Sequence, residues 1–155
     1  MGKGLKKRIK QQKFRSTLQV SLLNLMVAAD FVRTQMERFC SQYGITHAQF
    51  NLLRILRGVY PEGHPRCEIA ERMIERAPDV TRLIDRLEKQ GLVRRDRSSK
   101  DRRLSMTRIT RKGLDLLDRA KADEQLYRYF SERLSTEDRK MLSRICETIY
   151  NNKEN

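Results

Sequence analysis

The sequence predicts a mainly α-helical chain with one small β-hairpin, and three observations carry that reading. Apolar residues recur at helical spacing through most of the 155 residues, a single stretch from Leu92 to Thr110 reads as two short strands around a polar turn, and the positive charge is gathered into blocks. Hydrophobic residues make up 38% and charged residues 35% of the chain, a balance that suits helices with broad solvated faces. No run of about 18 apolar residues occurs, so no membrane span is predicted. The basic start, Met1 to Ser16, lacks the apolar stretch of a secretory leader, and the expected compartment is the cytoplasm.

The net charge of +14 has a definite location. Residues 1–15 hold seven Lys or Arg and no acid, and residues 92–112 hold nine against Asp96 and Asp101. Elsewhere the 18 basic and 18 acidic residues cancel. Two cationic blocks on a neutral body form an electrostatic footprint for a polyanion, because each neutralised phosphate releases condensed counterions.

The first block is read as a basic tail over 1–15. After it, Leu18, Leu22, Leu25, Ala29, Val32, Met36 and Phe39 alternate spacings of four and three, which predicts a long helix over about 14–42 with an a/d seam that another helix must cover. The cover is either intramolecular or a second copy. Gly44 stops that helix. Thr46 and Gln49 form a capping box, and Ile45 with Phe50 a hydrophobic staple, opening a helix that buries Leu52, Leu53, Leu56 and Val59. The turn "YPEGHP" breaks it, with His64 as a loop residue. "RCEIAERMIERAP" is a short helix burying Ile69, Ala70, Met73 and Ile74. Pro78 ends it and can open the next at its first position, where Val80, Leu83, Ile84 and Leu87 face inward and Gly91 caps the end.

The polar face of that last helix carries Asp79, Thr81, Arg82, Asp85, Arg86 and Lys89, and the pair of short helices reads as a helix-turn-helix. "LVRRDR" and "LSMTRIT" then form strands around "SSKD", with Leu92, Val93, Leu104, Met106 and Ile109 as apolar anchors. Together these predict a winged helix-turn-helix over 46–110. Arginines near the tip of such a hairpin suit the negative potential of a minor groove. Thr110 caps a long helix through Leu114, Leu117, Leu126, Tyr127 and Phe130, with Gly113 tolerated in its first turn. Ser135 and Asp138 open a last helix that buries Leu142, Ile145, Cys146 and Ile149. Residues 16–45 and 111–155 are thus a helical region flanking the winged domain.

The run "VTRLIDRLEKQGLVRRDRSSKDRRLSMTRITRKGLDLL", Val80 to Leu117, with its Asp-x-Arg signature at Asp101 to Arg103, resembles the recognition helix and wing of the MarR family of bacterial transcription regulators. "GITHAQFNLLRIL" and "LSTED" match family habit as well, so the resemblance spans the chain from about Leu18. Pro78 and Asp79 depart from it, standing where members often have a small polar residue. The resemblance implies a homodimer whose N- and C-terminal helices interdigitate, a pseudo-palindromic double-stranded operator, repression as the usual outcome, and release by a small-molecule effector or an oxidant. It also implies that Arg103 enters the minor groove, that Asp101 orients the wing, and that Lys100 and Arg102 meet phosphates, with Arg95 and Arg97 completing the wing's cationic set.

Thr81, Arg82 and Arg86 are the candidates for base contacts in the major groove, where Arg bonds guanine bidentately and Thr touches a thymine methyl. The competing reading pairs Arg82 or Arg86 with Asp85 or Glu88 on the helix surface. Cys40, Cys67 and Cys146 are an odd, dispersed set that implies neither a disulfide framework nor zinc. Cys40 and Cys146 are candidate redox thiols, although helix-face cysteines also serve as small core hydrophobes. Neither histidine belongs to a recognisable acid, base or metal set, so neither catalysis nor a cofactor is expected. The alternative to a sequence-specific regulator is a non-specific architectural DNA- or RNA-binding protein, which explains the charge but does not require a recognition helix joined to a wing.

Overall fold

Leu52, Leu53 and Leu56 are fully buried, and the elements around them are placed to keep water from that leucine cluster; truncating any one to Ala would cost about 2–5 kcal/mol. The computed structural model describes residues 2–76, 79–96, 105–120 and 122–151, with backbone alone for 122–127. The chain divides after Ala120 into two compact units.

The basic N-terminus is more ordered than a simple tail. Lys3–Ile9 form α1, with Leu5 buried at 3% exposure. Thr17–Ser41 form α2, capped by Ser16, whose hydroxyl accepts the Gln19 N–H at 3.2 Å. Gly44, at φ 69°, follows its end as expected. Next, His47–Arg57 form α3 with the predicted box: Thr46 Oγ1 accepts the Gln49 N–H at 3.2 Å, and Gln49 Oε1 accepts the Thr46 N–H at 2.9 Å. Ile45 and Phe50 are both buried beside it.

Arg66–Arg72 form α4, shorter than expected. Met73 leaves the helix in an extended conformation and stays buried, while Ile74 is 74% exposed, contrary to its expected place in the core. Asn51 causes the early stop. Its Oδ1, from within α3, accepts the Ile74 N–H at 3.0 Å and so holds the chain where a continuing helix would need that donor. Val80–Lys89 form α5, and Asp79 opens it by accepting the Arg82 N–H at 3.0 Å; Pro78, expected at its first position, lies outside the described residues. Gly91 closes α5 at φ 72°, a left-handed conformation costly for residues with a Cβ.

His64 and Pro65 are not turn residues alone. They form a two-residue β1 that pairs antiparallel with β3, Met106–Ile109, which pairs in turn with β2, Val93–Asp96, in the order β1-β3-β2. Val93 faces Ile109 and Arg95 faces Thr107. Val93, Ile109 and Thr107 are buried, and Thr107 is a core residue that alternation from Ile109 makes intelligible. Leu104 lies outside the described residues.

Thr110 starts α6, Arg111–Ala120, with its hydroxyl accepting the Gly113 N–H at 3.1 Å and donating to the Gly91 carbonyl at 2.7 Å. The second unit carries α7, Ala122–Arg133, and α8, Thr136–Tyr150, the latter with the predicted Ser135–Asp138 capping box; Lys121, within the long helix expected from Thr110, lies outside the described residues. The side chains of Leu126 and Tyr127 lie outside the described part. Leu142, Ile145 and Ile149 of α8 are 42%, 49% and 56% exposed, and Leu18 and Leu22 of α2 are 75% and 55% exposed. Leu142, Ile145 and Ile149 were expected to be buried, and Leu18 and Leu22 to lie on a seam that another helix covers; both faces are bare in the single chain, and their burial requires a facing helix.

Gly113 does more than fit the first turn of α6. A Cβ there would lie 2.4 Å from the Leu92 carbonyl oxygen and 2.7 Å from Ile109 Cγ1, so α6 approaches the strands at a distance only glycine allows. Gly113→Ala is expected to lower stability by about 1–3 kcal/mol in denaturant melts through overpacking. Gly4→Ala, with open space around it, should leave the midpoint unchanged or slightly raised; equal effects at the two positions would refute the close approach.

Candidate nucleic-acid interface

The exposed side of α5 presents Thr81, Arg82, Arg86 and Lys89, while Val80, Ile84 and Leu87 hold its other side in the core. Arg82 Nε lies 3.0 Å from Asp79 Oδ2 in an exposed pair. Such a pair is worth tenths of a kcal/mol and exchanges readily for a stronger acceptor. Among the described residues no carboxylate pairs with Arg86. The sequence-predicted trio therefore stands together on one solvent face.

Asp85 and Glu88 do not bind Arg82 or Arg86, as the competing surface-pair reading expected. They bind Arg95 of β2. Glu88 Oε1 accepts the Arg95 backbone N–H at 3.0 Å, Glu88 Oε2 accepts Arg95 Nη1 at 3.1 Å, and Asp85 Oδ1 accepts Nη2. The Arg95 side chain is only 26% exposed. It is a strut between hairpin and helix, and its guanidinium is occupied where a wing contact with nucleic acid had been expected. The signal was available: Arg95 is two residues from buried Val93, so strand alternation points it at α5.

A second strut was missed. Arg108 Nε donates to Asp96 Oδ2 at 2.6 Å, and its Nη1 donates to the Pro61 carbonyl at 2.9 Å and Glu62 Oε2 at 3.0 Å. These carboxylates raise the guanidinium pKa further above its already high ordinary value. Arg94 lies directly across from Arg108, a repulsive placement for like charges. Asp96 relieves it by standing between them, with Oδ1 3.6 Å from Arg94 Nε. The wing base is thereby clamped to the α3–β1 turn on one side and to α5 on the other. Arg97, Lys100, Asp101, Arg102 and Arg103 lie outside the described residues.

Cys40 is fully buried, and that burial, followed by the Glu37 charge, pushes its thiol up to about 11. A redox sensor needs access and a lowered pKa, so Cys40 has the environment of a core hydrophobe. Cys67 is exposed and Cys146 half-buried. Among the described residues no cluster of His, Cys, Asp and Glu could hold a metal, and no helix is long and apolar enough to cross a membrane.

These elements define a winged helix-turn-helix: α4 and α5 as the helix pair, β2 and β3 as the wing, β1 closing the sheet. The comparisons agree. The MarR family profile matches residues 45–105. A MarR transcription factor from Planctomyces limnophilus is 36% identical, with 88% of this chain and 99% of that one covered and a TM-score of 0.68. The transcriptional repressor CouR, in a structure bound to a 23-mer DNA duplex, is 29% identical over 90% of this chain and 98% of its own, with a TM-score of 0.74. An uncharacterized HTH-type transcriptional regulator of Bacillus cereus is 27% identical over 118 residues, 75% of this chain and 77% of that protein. The chain belongs to the MarR family and is a DNA-binding transcriptional regulator rather than an enzyme.

Two measurements check this geometry. Arg95→Ala leaves Asp85 and Glu88 facing each other unpaired; a double-mutant cycle with Glu88→Gln should give a coupling of about 1 kcal/mol, and zero coupling would remove the strut. For Cys40, a thiol whose pKa rises on folding contributes stability that is fully present below the unfolded value and lost as pH climbs through the folded one. Stability should therefore fall between roughly pH 9 and 11 with a part that Cys40→Ala abolishes, and thiol reagents should label Cys67 well before Cys40.

Proposed function

We propose that this protein is a cytoplasmic homodimeric repressor that reads a pseudo-palindromic operator and is released by a small-molecule effector. The observation that carries the reading is the solvent face of α5, with Thr81, Arg82 and Arg86 together and the hairpin braced beside it through Arg95. In this arrangement α5 enters the major groove, with Arg86 and Arg82 reaching base edges and Thr81 close to a thymine methyl. The wing follows the backbone to the next minor groove, where Arg103 supplies the inserted guanidinium, Asp101 orients it, and Lys100 and Arg102 meet phosphates.

Dimerisation is supported by the bare apolar faces of Leu18 and Leu22 on α2 and of Leu142, Ile145 and Ile149 on α8. Large exposed apolar faces on a soluble chain mark interaction surfaces. Residues 16–45 and 111–155 are the region that a second copy covers, and two-fold symmetry then dictates a palindromic site. Repression is favoured by the likeness to CouR, itself a transcriptional repressor. Effector release rests on family membership.

Selection from random duplex DNA tests the reading. Two half-sites about 10 base pairs apart, related by a two-fold axis, are expected; a flat selection, or equal binding to RNA, would favour a non-specific architectural protein instead. On the selected duplex, Arg86→Ala should cost about 1–3 kcal/mol and relax the preference at one position of each half-site. Arg103→Ala should weaken binding with little change in melting, and unchanged affinity would count against the wing assignment.

A further inference from the structure

The N-terminal cationic block has a fixed place that the operator-reading machinery does not use. Within α1, Leu5 is buried and Ile9 half-buried, and Gly2 packs near Val20 Cγ1 and the Phe14 ring, so this short helix is docked on the start of α2. Docking by that side leaves Lys3, Lys6 and Lys7, at helical spacings of three and four, along another face, with Arg8 and the cap residue Lys10 beside them. Residues 1–15 contain no acid, and among the described residues no carboxylate pairs with these cations. A short solvated helix with no docking contact would fray; this one is held, and its charge is concentrated.

The position follows from α2. Its 25 residues separate its ends by about 36 Å. The far end is tied to the end of α5, since Gln90 Nε2 donates to the Gly44 carbonyl at 3.2 Å. Even if the 10 residues of α5 ran straight back along α2, a gap of about 20 Å would remain, more than a lysine stem spans. The α1 cations and the base-reading side chains therefore address different places.

We propose that the cationic face of α1 binds a second DNA duplex, distinct from the one read by α5, so that the protein bridges two duplex segments. The inference rests on the DNA-binding reading above. Lysines predominate in this block, and they act as flexible point charges that neutralise phosphates without reading bases. An anionic membrane is disfavoured as the occupant, because the apolar side of α1 is already spent on α2 and none remains to insert. An acidic protein segment would meet the same cations, but a regulator held on DNA has duplex at far higher local concentration.

The test uses the full chain and a variant with Lys3→Gln, Lys6→Gln, Lys7→Gln and Arg8→Gln, both checked for helix content. A duplex enriched by selection is immobilised and saturated with protein, and capture of a fluorescent random-sequence duplex is read at several salt concentrations. The wild type should capture the second duplex. The variant should lose capture by roughly tenfold or more at moderate salt, while its affinity for the immobilised duplex and the salt slope of that binding stay unchanged. If the variant captures as well as the wild type, the inference fails. It also fails if affinity for the first duplex and its salt slope drop together, because the cations would then serve the operator itself. Loss of binding to phosphatidylserine vesicles or to polyglutamate, with duplex capture untouched, overturns it in favour of those partners. Should selection yield no preferred sequence while cation-dependent capture between two random duplexes persists, the operator reading falls and this inference stands.

Discussion

Arg95 is the constraint on which the recognition surface depends. A hairpin of two four-residue strands has little stability of its own, and a ten-residue helix is marginal in water. Beyond the core packing of each, the two are tied together by one guanidinium that binds both Asp85 and Glu88, and by the Arg95 backbone N–H held by Glu88. The pair energies are modest, because the carboxylates are 44% and 39% exposed and water screens them. Their value is geometric. They fix the angle between helix and wing, and that angle decides whether both can meet successive grooves of one duplex.

Arg108 and Gly113 complete the frame from behind. Arg108 joins the wing base to the α3–β1 turn through Asp96, Glu62 and the Pro61 carbonyl. Gly113 lets α6 lie against the Leu92 carbonyl and Ile109. The wing is thus braced on three sides by elements whose own positions are set by the buried leucines of α3.

Local signals wrote most of the fold into the sequence. The Thr46–Gln49 and Ser135–Asp138 boxes act within four residues, and the inward faces of α3 and α5 follow a strict period. What escaped was non-local. The two residues of β1 have no period to detect, and they become a strand only because β3 is there to pair with them. The early end of α4 depends on Asn51, more than twenty residues away in sequence. At the interface, Thr81, Arg82 and Arg86 were legible because a helix displays its polar face without help. The pairing of Arg95 with α5 was not anticipated, because a run of arginines looks uniform until strand alternation is applied to each one. The bare faces of α2 and α8 were visible as apolar pattern, but pattern alone does not say which chain supplies the cover.

The helix α2 contains neither proline nor glycine between Thr17 and Ser41, so nothing in it acts as a hinge. One end carries the exposed apolar residues Leu18 and Leu22, and the other is buried at Phe39 and Cys40 beside the winged domain. It therefore behaves as a stiff lever. A tilt of about 5° at its start would sweep the far end by about 3 Å, a displacement large enough to put a helix out of step with a groove. A small tilt at one end of α2 is in this way amplified at the other, with no bend inside the helix.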